Sequence, residues 1–307
     1  MRVLITGAWG FAGRHAMREF IGAGHEVIAL DQASAPSPRD PDVPGLKVNI
    51  ADFTAVCEAV ANSAPAAVLH LAGIAFVPRN AAEPGRAVGV NVTGTINILE
   101  ACVRHAPQAR VLTISSAQVY GPQAAGGHPL AENAPLRPDT TYGITKAAAD
   151  NLTLLYARQY NLAAMVARPS NHIGPGQTPD YSVSSFATQV QAIVRGSAPA
   201  TITTGNLASR RDFTDVRDMV RAYRLLVERG QPGHAYNLGS GRMVSLGEVL
   251  DELCRLAGIH PAIVTAPELF RPTDQGPLLN VARIRDDTGW APRYELSKTL
   301  ESILASV

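Results

Sequence analysis

A doubly wound α/β fold, a mainly parallel sheet with helices on both faces and a smaller α/β unit towards the C-terminus, is what three features of this 307-residue chain predict. Short β-rich runs alternate with stretches of helical spacing through the first half, the pattern of βαβ units. Gly7, Gly10 and Gly13 stand between the first strand and the first helix. Hydrophobic residues make up 46% of the chain and charged residues 17%, which is enough apolar surface for a full core and too little charge for disorder.

In chain order, RVLITG reads as a strand and the stretch from Phe11 as a helix; EVIAL is followed by a helix from Thr54, AVLHLAG by one from Asn91, and ARVLTISS by one from Tyr142. AAMVARPS has the composition of a buried strand. VSSFATQVQAIVRG, DMVRAYRLLVERG and SLGEVLDELCRLAG have helical spacing, the last with Ser245 as N-cap. Pro/Gly-rich pieces at 33–45, 121–138 and 172–180 read as loops, and the last two are long enough to wall a site.

Charge and cysteine usage exclude several classes. Lys+Arg 27 against Asp+Glu 26 leaves +1, so no global basic field is available for nucleic acid and any anion must be held locally. Cys57, Cys102 and Cys254 lie far apart without metal-ligand spacing, so neither a metal site nor a disulfide framework is expected. With no signal-like segment and no run of 18 apolar residues, a cytoplasmic protein with no membrane partner is expected. Only Lys47, Lys146 and Lys298 are lysines, the other 24 basic residues being arginines, so a retained Lys needs a chemical reason.

The glycines follow G-x-x-G-x-x-G, with Gly7 allowing a tight turn, Gly10 a close backbone approach to a pyrophosphate, and Gly13 close helix–sheet packing. In that context they read as a dinucleotide loop of a Rossmann sheet. Asp31, ending the second strand, suits the adenosine ribose hydroxyls and repels a 2′-phosphate, which favours NAD(H) with NADP(H) still possible. Tyr142 and Lys146, four apart, share a helix face. An ammonium beside a phenol stabilises its anion, and the compact Lys suits this where a guanidinium fork does not. Ser115–Ser116 end a strand, where parallel sheets place their sites.

With these motifs the chain resembles the extended short-chain dehydrogenase/reductases, the NAD-dependent epimerase/dehydratase family that modifies sugar nucleotides. The resemblance implies Ser116 as the catalytic hydroxyl, Tyr142 as acid–base, and Lys146 as the residue that lowers its pKa and holds the nicotinamide ribose. It also implies cofactor contacts from Phe11, from Leu71, Ala72 and Gly73 in LHLAG, and from Asn49 and Ile50 in KVNIAD. A further match is Asn91 in VNVTGT. On this reading residues 1–166 bind the dinucleotide, about 205–237 return to that unit, and 167–204 with 238–307 bind the substrate.

Within the family, ARPSNHIGPGQ, SRRDFTDVRDMVRAYRLL, YNLGSGRMVSL and FRPTDQGPLL most resemble GDP-4-keto-6-deoxy-D-mannose reductases, with GDP-mannose 4,6-dehydratases next. That similarity implies a GDP-sugar partner, with Asn171 and Arg211 facing the sugar diphosphate and Arg271 and Asp274 holding diphosphate and ribose. A dehydratase needs a carboxylate base two residues after the Ser/Thr, and here that position is Gln118. Reduction of a 4-keto-6-deoxy sugar is therefore the first expectation, and a nucleotide-sugar 4-epimerase the second. The resemblance also implies a homodimer through helices near 92–105 and 143–160.

Overall fold

The computed structural model describes residues 1–33, 41–123, 127–270 and 275–307. Its first half alternates as the apolar runs require: β1 (Arg2–Thr6), α1 (Phe11–Gly22), β2 (Glu26–Asp31), β3 (Gly45–Lys47), α2 (Phe53–Ser63) and β4 (Ala67–His70). After β4 come the short α3 (Val77–Ala82) and α4 (Pro84–Val88), then α5 (Gly94–His105), β5 (Arg110–Ile114), α6 (Thr141–Gln159) and β6 (Ala163–Pro169). The second half holds β7 (Asn171–Ile173), α7 (Ser182–Val194), β8 (Thr201–Thr204), β9 (Arg210–Asp215), α8 (Val216–Arg229) and β10 (Ala235–Leu238). It closes with β11 (Met243–Ser245), α9 (Leu246–Ala257), β12 (Ala262–Thr265), α10 (Ala282–Thr288) and α11 (Leu296–Leu304).

Seven strands form one parallel sheet in the order β10-β6-β5-β4-β1-β2-β3. Strands buried along their length read as continuous apolar runs, and Val3, Leu4, Ile5, Val68, Leu69, Val111 and Leu112 have no exposed surface. Alternate residues serve opposite faces: Ile5 and Leu69 join Met17, Phe20, Met219 and Tyr223 of α1 and α8, while Leu4 and Val68 join Val56, Val60, Ile98 and Leu99 of α2 and α5. The chain leaves β1 towards β3 in one direction and returns through β4 in the other. The reversal between β1 and β4 opens the crevice where such sheets bind ligands.

Polar side chains set the helix starts. Asp52 accepts from Ala55 N at 3.1 Å to begin α2, Thr140 from Gly143 N at 3.0 Å to begin α6, and Ser245 with Glu248 completes a capping box on α9. Instead of starting at Asn91, the helical stretch begins at Pro84 and passes through a π-turn at Gly89–Thr93 that contains Asn91.

A second apolar cluster joins Ile173, Val183, Phe186, Phe213, Val244, Leu250, Leu253 and Leu300. It lies against a three-stranded sheet, β11-β9-β7. Residues 216–238 return to the large sheet as α8 and β10, whereas β9 stays with the small one, because it pairs with β7 and β11 and points Phe213 into that cluster. The return to the first unit thus begins at Val216, later than the expected 205.

Candidate active site

The glycine loop leaves β1 at the crevice. Gly7 has φ +68°, and a Cβ there would stand 2.7 Å from Ala72 N. A Cβ on Gly13 would fall on the carbonyls of Gly7 and Ala8, so the chain can pass this close only without side chains. Gly10 caps α1 with no side-chain acceptor, and no acidic residue occupies the first turn. These are the properties of a pyrophosphate cradle, with backbone N–H groups and the positive helix end turned outwards. Phe11, the first helical residue, stacks on His172 at 6.1 Å between centroids and meets His15 edge-on at 5.5 Å.

Asp31 ends β2 beside this loop. Its Oδ2 accepts from Trp9 N at 3.0 Å and its Oδ1 from Ala33 N at 3.1 Å, so the carboxylate holds the loop as well as facing the crevice. A carboxylate offers roughly four lone-pair positions, and among the described residues these two donors are the ones it accepts from. Asn49 accepts from Ala51 N at 3.1 Å, and Ile50 is buried with its carbonyl held by Asn97 Nδ2 at 2.9 Å. Leu71 and Ala72 donate backbone N–H to Thr6 O (3.2 Å) and Thr6 Oγ1 (3.1 Å), which pins the end of β4 to the end of β1. The residues present thus fit a nicotinamide dinucleotide.

Ser116, Tyr142 and Lys146 come together at the ends of β5 and α6, each less than a tenth exposed. Ser116 Oγ accepts from Gln118 N at 3.2 Å, and the Ser116 hydroxyl pulls the pKa of the neighbouring Tyr142 phenol down. Lys146 Nζ donates to Ile114 O at 2.8 Å and lies beneath Gly73, where a Cβ would approach it to 3.3 Å and Asn91 Oδ1 to 3.0 Å. Burial lowers the ammonium to about 8. Burial pushes the Tyr142 phenol up to about 12, against the opposing pull of the neighbouring Ser116 hydroxyl. A raised phenol stays protonated at neutral pH, the state a proton donor requires.

Behind these residues runs a buried network of which sequence reasoning named only Ala72 and Asn91. Ala72 N donates to Thr6 Oγ1, which is 2.7 Å from His70 Nδ1, and His70 Nε2 lies 3.1 Å from Thr95 Oγ1, which donates to Asn91 O at 2.7 Å. Because Thr95 gives its proton to Asn91, His70 must donate from Nε2 and accept at Nδ1, so the network fixes a neutral tautomer. Burial and then the Lys146 charge hold His70 down to about 3. Asn91 Nδ2 reaches Asn80 Oδ1 (3.2 Å) and Thr145 Oγ1 (3.0 Å), joining the π-turn to α6. The available signal was the π-turn itself, a geometry frequent at functional sites but without a sequence periodicity.

The substrate-side expectations are partly placed. Asn171, exposed at the start of β7, is the register partner of Phe213, and Arg211 lies two residues before Phe213 on the adjacent β9. Arg211 Nη1 donates to Arg210 O at 2.8 Å, and Gly276 packs against its side chain. Arg271 and Asp274 lie outside the described residues, although Gly276 N reaches Arg210 O at 3.2 Å only two residues later. Gln118, half-buried, accepts from Thr140 Oγ1 at 3.4 Å at the start of α6. Among the described residues no His, Cys, Asp and Glu group is placed to hold a metal, and no helix is long and apolar enough to cross a membrane.

Residues 3–239 match the model of the NAD dependent epimerase/dehydratase family. The chain is 32% identical to GDP-6-deoxy-D-mannose reductase of Pseudomonas aeruginosa over 310 residues, 99% of this chain and 96% of the relative. The structure of RMD from Pseudomonas aeruginosa complexed with NADPH superposes with TM-score 0.88 at 30% identity, covering 99% of this chain and 98% of that one. The Thermus thermophilus UDP-glucose 4-epimerase complex with NAD gives TM-score 0.89 at 28% identity, covering 100% and 98%.

Proposed function

The chain belongs to the NAD dependent epimerase/dehydratase family, and we propose that, within this class of NAD(P)-dependent sugar-nucleotide oxidoreductases, it reduces the 4-keto group of GDP-4-dehydro-6-deoxy-D-mannose to GDP-D-rhamnose or its C4 epimer. Gln118 carries the choice of reduction. Dehydration requires a carboxylate to abstract the C5 proton, and the side chain two residues beyond Ser116 is an amide held by Thr140 Oγ1. Ketone reduction requires no such base.

The bound cofactor supplies a hydride. Ser116 and Tyr142 are assigned to orient the ketone oxygen. Tyr142 gives its phenolic proton to that oxygen as negative charge develops, while the buried Lys146 ammonium keeps positive charge beside the crevice. The glycine loop and Asp31 hold the dinucleotide. Asn171 and Arg211, with Arg271 and Asp274 beyond the described residues, are assigned to the diphosphate and ribose of the GDP-sugar, and residues 167–204 and 238–307 to its binding unit. Ile144 and Leu155 are exposed on α6, which supports a homodimer through α5 and α6. Free Cys57, Cys102 and Cys254 suit a reducing cytoplasm.

The test supplies purified protein with GDP-4-dehydro-6-deoxy-D-mannose and NADH, and separately with a UDP-sugar and no added cofactor. Consumption of NADH with the first, and no C4 interconversion with the second, is expected. Interconversion of UDP-sugar C4 epimers with NAD retained through turnover would replace this reading by the epimerase.

A further inference from the structure

The side chains assigned to the ketone are polar, and beside α6, the helix that carries Tyr142 and Lys146, the structure brings two aromatic rings together from different halves of the molecule. Phe76 follows the end of β4 as the N-cap of α3, and Tyr181 precedes α7 in the second unit. Their rings meet edge to face, with centroids 5.8 Å apart and planes at 73°, one of the geometries aromatic pairs prefer. Phe76 is held firmly. The buried Asn80 donates from Nδ2 to Phe76 O and to Ile74 O, both at 2.9 Å, and accepts from Asn91 Nδ2, which also reaches Thr145 beside Lys146. Helix α3 packs on α6, the helix that carries Tyr142.

On a 4-keto-6-deoxyhexose the carbons flanking C4 differ in kind. C3 carries a hydroxyl, while C5 carries the C6 methyl, an apolar group two bonds from the reacting carbon. The faces of aromatic rings match the methyl and offer a C6 hydroxyl no hydrogen-bond partner.

We propose that Phe76 and Tyr181 form a specificity wall that receives the C6 methyl of a 6-deoxyhexose and rejects the corresponding C6-hydroxyl sugar. The inference rests on the reading of this crevice as a 4-keto sugar-nucleotide site. An apolar wall discriminates against an added hydroxyl by at most about a hundredfold, so a preference of about ten- to a hundredfold is expected.

The experiment measures affinities of the NADH-loaded protein for GDP-D-rhamnose and GDP-D-mannose, which differ only in the C6 hydroxyl, and for dTDP-6-deoxyglucose and dTDP-glucose, which differ in the same way. Wild type should favour the deoxy member of the GDP pair. Phe76→Ala and Tyr181→Ala should each lose most of that preference with NADH affinity unchanged, which also reports that the variants fold, and Tyr181→Phe should keep it. A preference seen only in the dTDP pair leaves the wall standing and overturns the GDP assignment. Equal affinities within the bound pair, or a preference that survives both alanine variants, overturns the wall. Binding of neither pair overturns the wall together with the site reading.

Discussion

Tyr142 is buried at the start of α6, and its chemistry follows from that. Its phenol is lifted to about 12 by burial, so it enters the reaction as a proton donor. Tyr142→Phe should lower kcat by ~10²–10⁴ while the dissociation constant for NADH stays within about twofold, because the change removes a general acid and no phosphate contact. Steady-state kinetics beside a direct binding titration check both halves. Asp31 bears on cofactor choice, but it also binds Trp9 N, so alanine would loosen the glycine loop as well. Asp31→Asn keeps one acceptor and removes the charge. Wild type should show the higher kcat/KM with NADH, and Asp31→Asn should narrow the gap to NADPH by about tenfold; equal values in wild type contradict the assignment. At this scale the sequence was informative wherever chemistry restricts residue type: glycines without room for Cβ, a Tyr and a Lys one turn apart, and that Lys being one of only three against 24 arginines. It was silent on His70, which looks like one polar residue in an apolar strand until Thr6 and Thr95 come into place from other elements.

Helix α6 carries the consequence of its periodicity one turn further than the motif. Tyr142, Lys146 and Asp150 follow at intervals of four, and Asp150, with no exposed surface, receives Arg168 through two bonds of 2.7 and 2.9 Å. Arg168 also donates to Tyr120 Oη and Glu132 O, both at 2.8 Å, and Tyr120 donates to Asn237 Oδ1 at 2.7 Å. The pair thereby fastens α6 to β6, to the turn after Ser116 and to β10. Removing one partner strands a buried charge, so Asp150→Asn should destabilise the fold by ~3–5 kcal/mol in urea unfolding. Loss of less than ~1 kcal/mol would mean the pair does not anchor the helix. Element types were legible where the strands are continuous apolar runs, as in β1, β4 and β5, and where an Asp, Thr or Ser caps the helix, as at α2, α6, α8 and α9. The short α3, the π-turn and the three-residue β7 and β11 were not, since segments of this length have too few turns or alternations to show a period.

For the molecule as a whole, the buried histidines set the acid limit. Burial lowers His70 to about 3 and His172 to about 4, both below the ordinary value of about 6.5 in an unfolded chain. Between those values and 6.5 the unfolded state binds more protons than the native state, so stability is complete above pH ~6.5 and falls as the pH drops towards the folded values. Each histidine contributes a slope of ~1.4 kcal/mol per pH unit at most, and the unfolding free energy should fall by ~1–3 kcal/mol between pH 6.5 and pH 5.5. Urea titrations of wild type and His70→Gln measure this, and the variant should show about half the slope; identical slopes would remove His70 from the account. The two-unit architecture was legible from the patterning, but the docking of β9 onto β7 was not, because strand pairing depends on partners remote in the chain. The central claim is that this crevice delivers a hydride to C4 of a keto-sugar and releases the spent cofactor. Its most direct test uses NADH deuterated at C4 of the nicotinamide, on the face that is transferred, with GDP-4-dehydro-6-deoxy-D-mannose, and locates the label in the product by NMR. One deuterium on sugar C4 for each NADH consumed is predicted; product without deuterium at C4, or NADH left unconsumed, would contradict it.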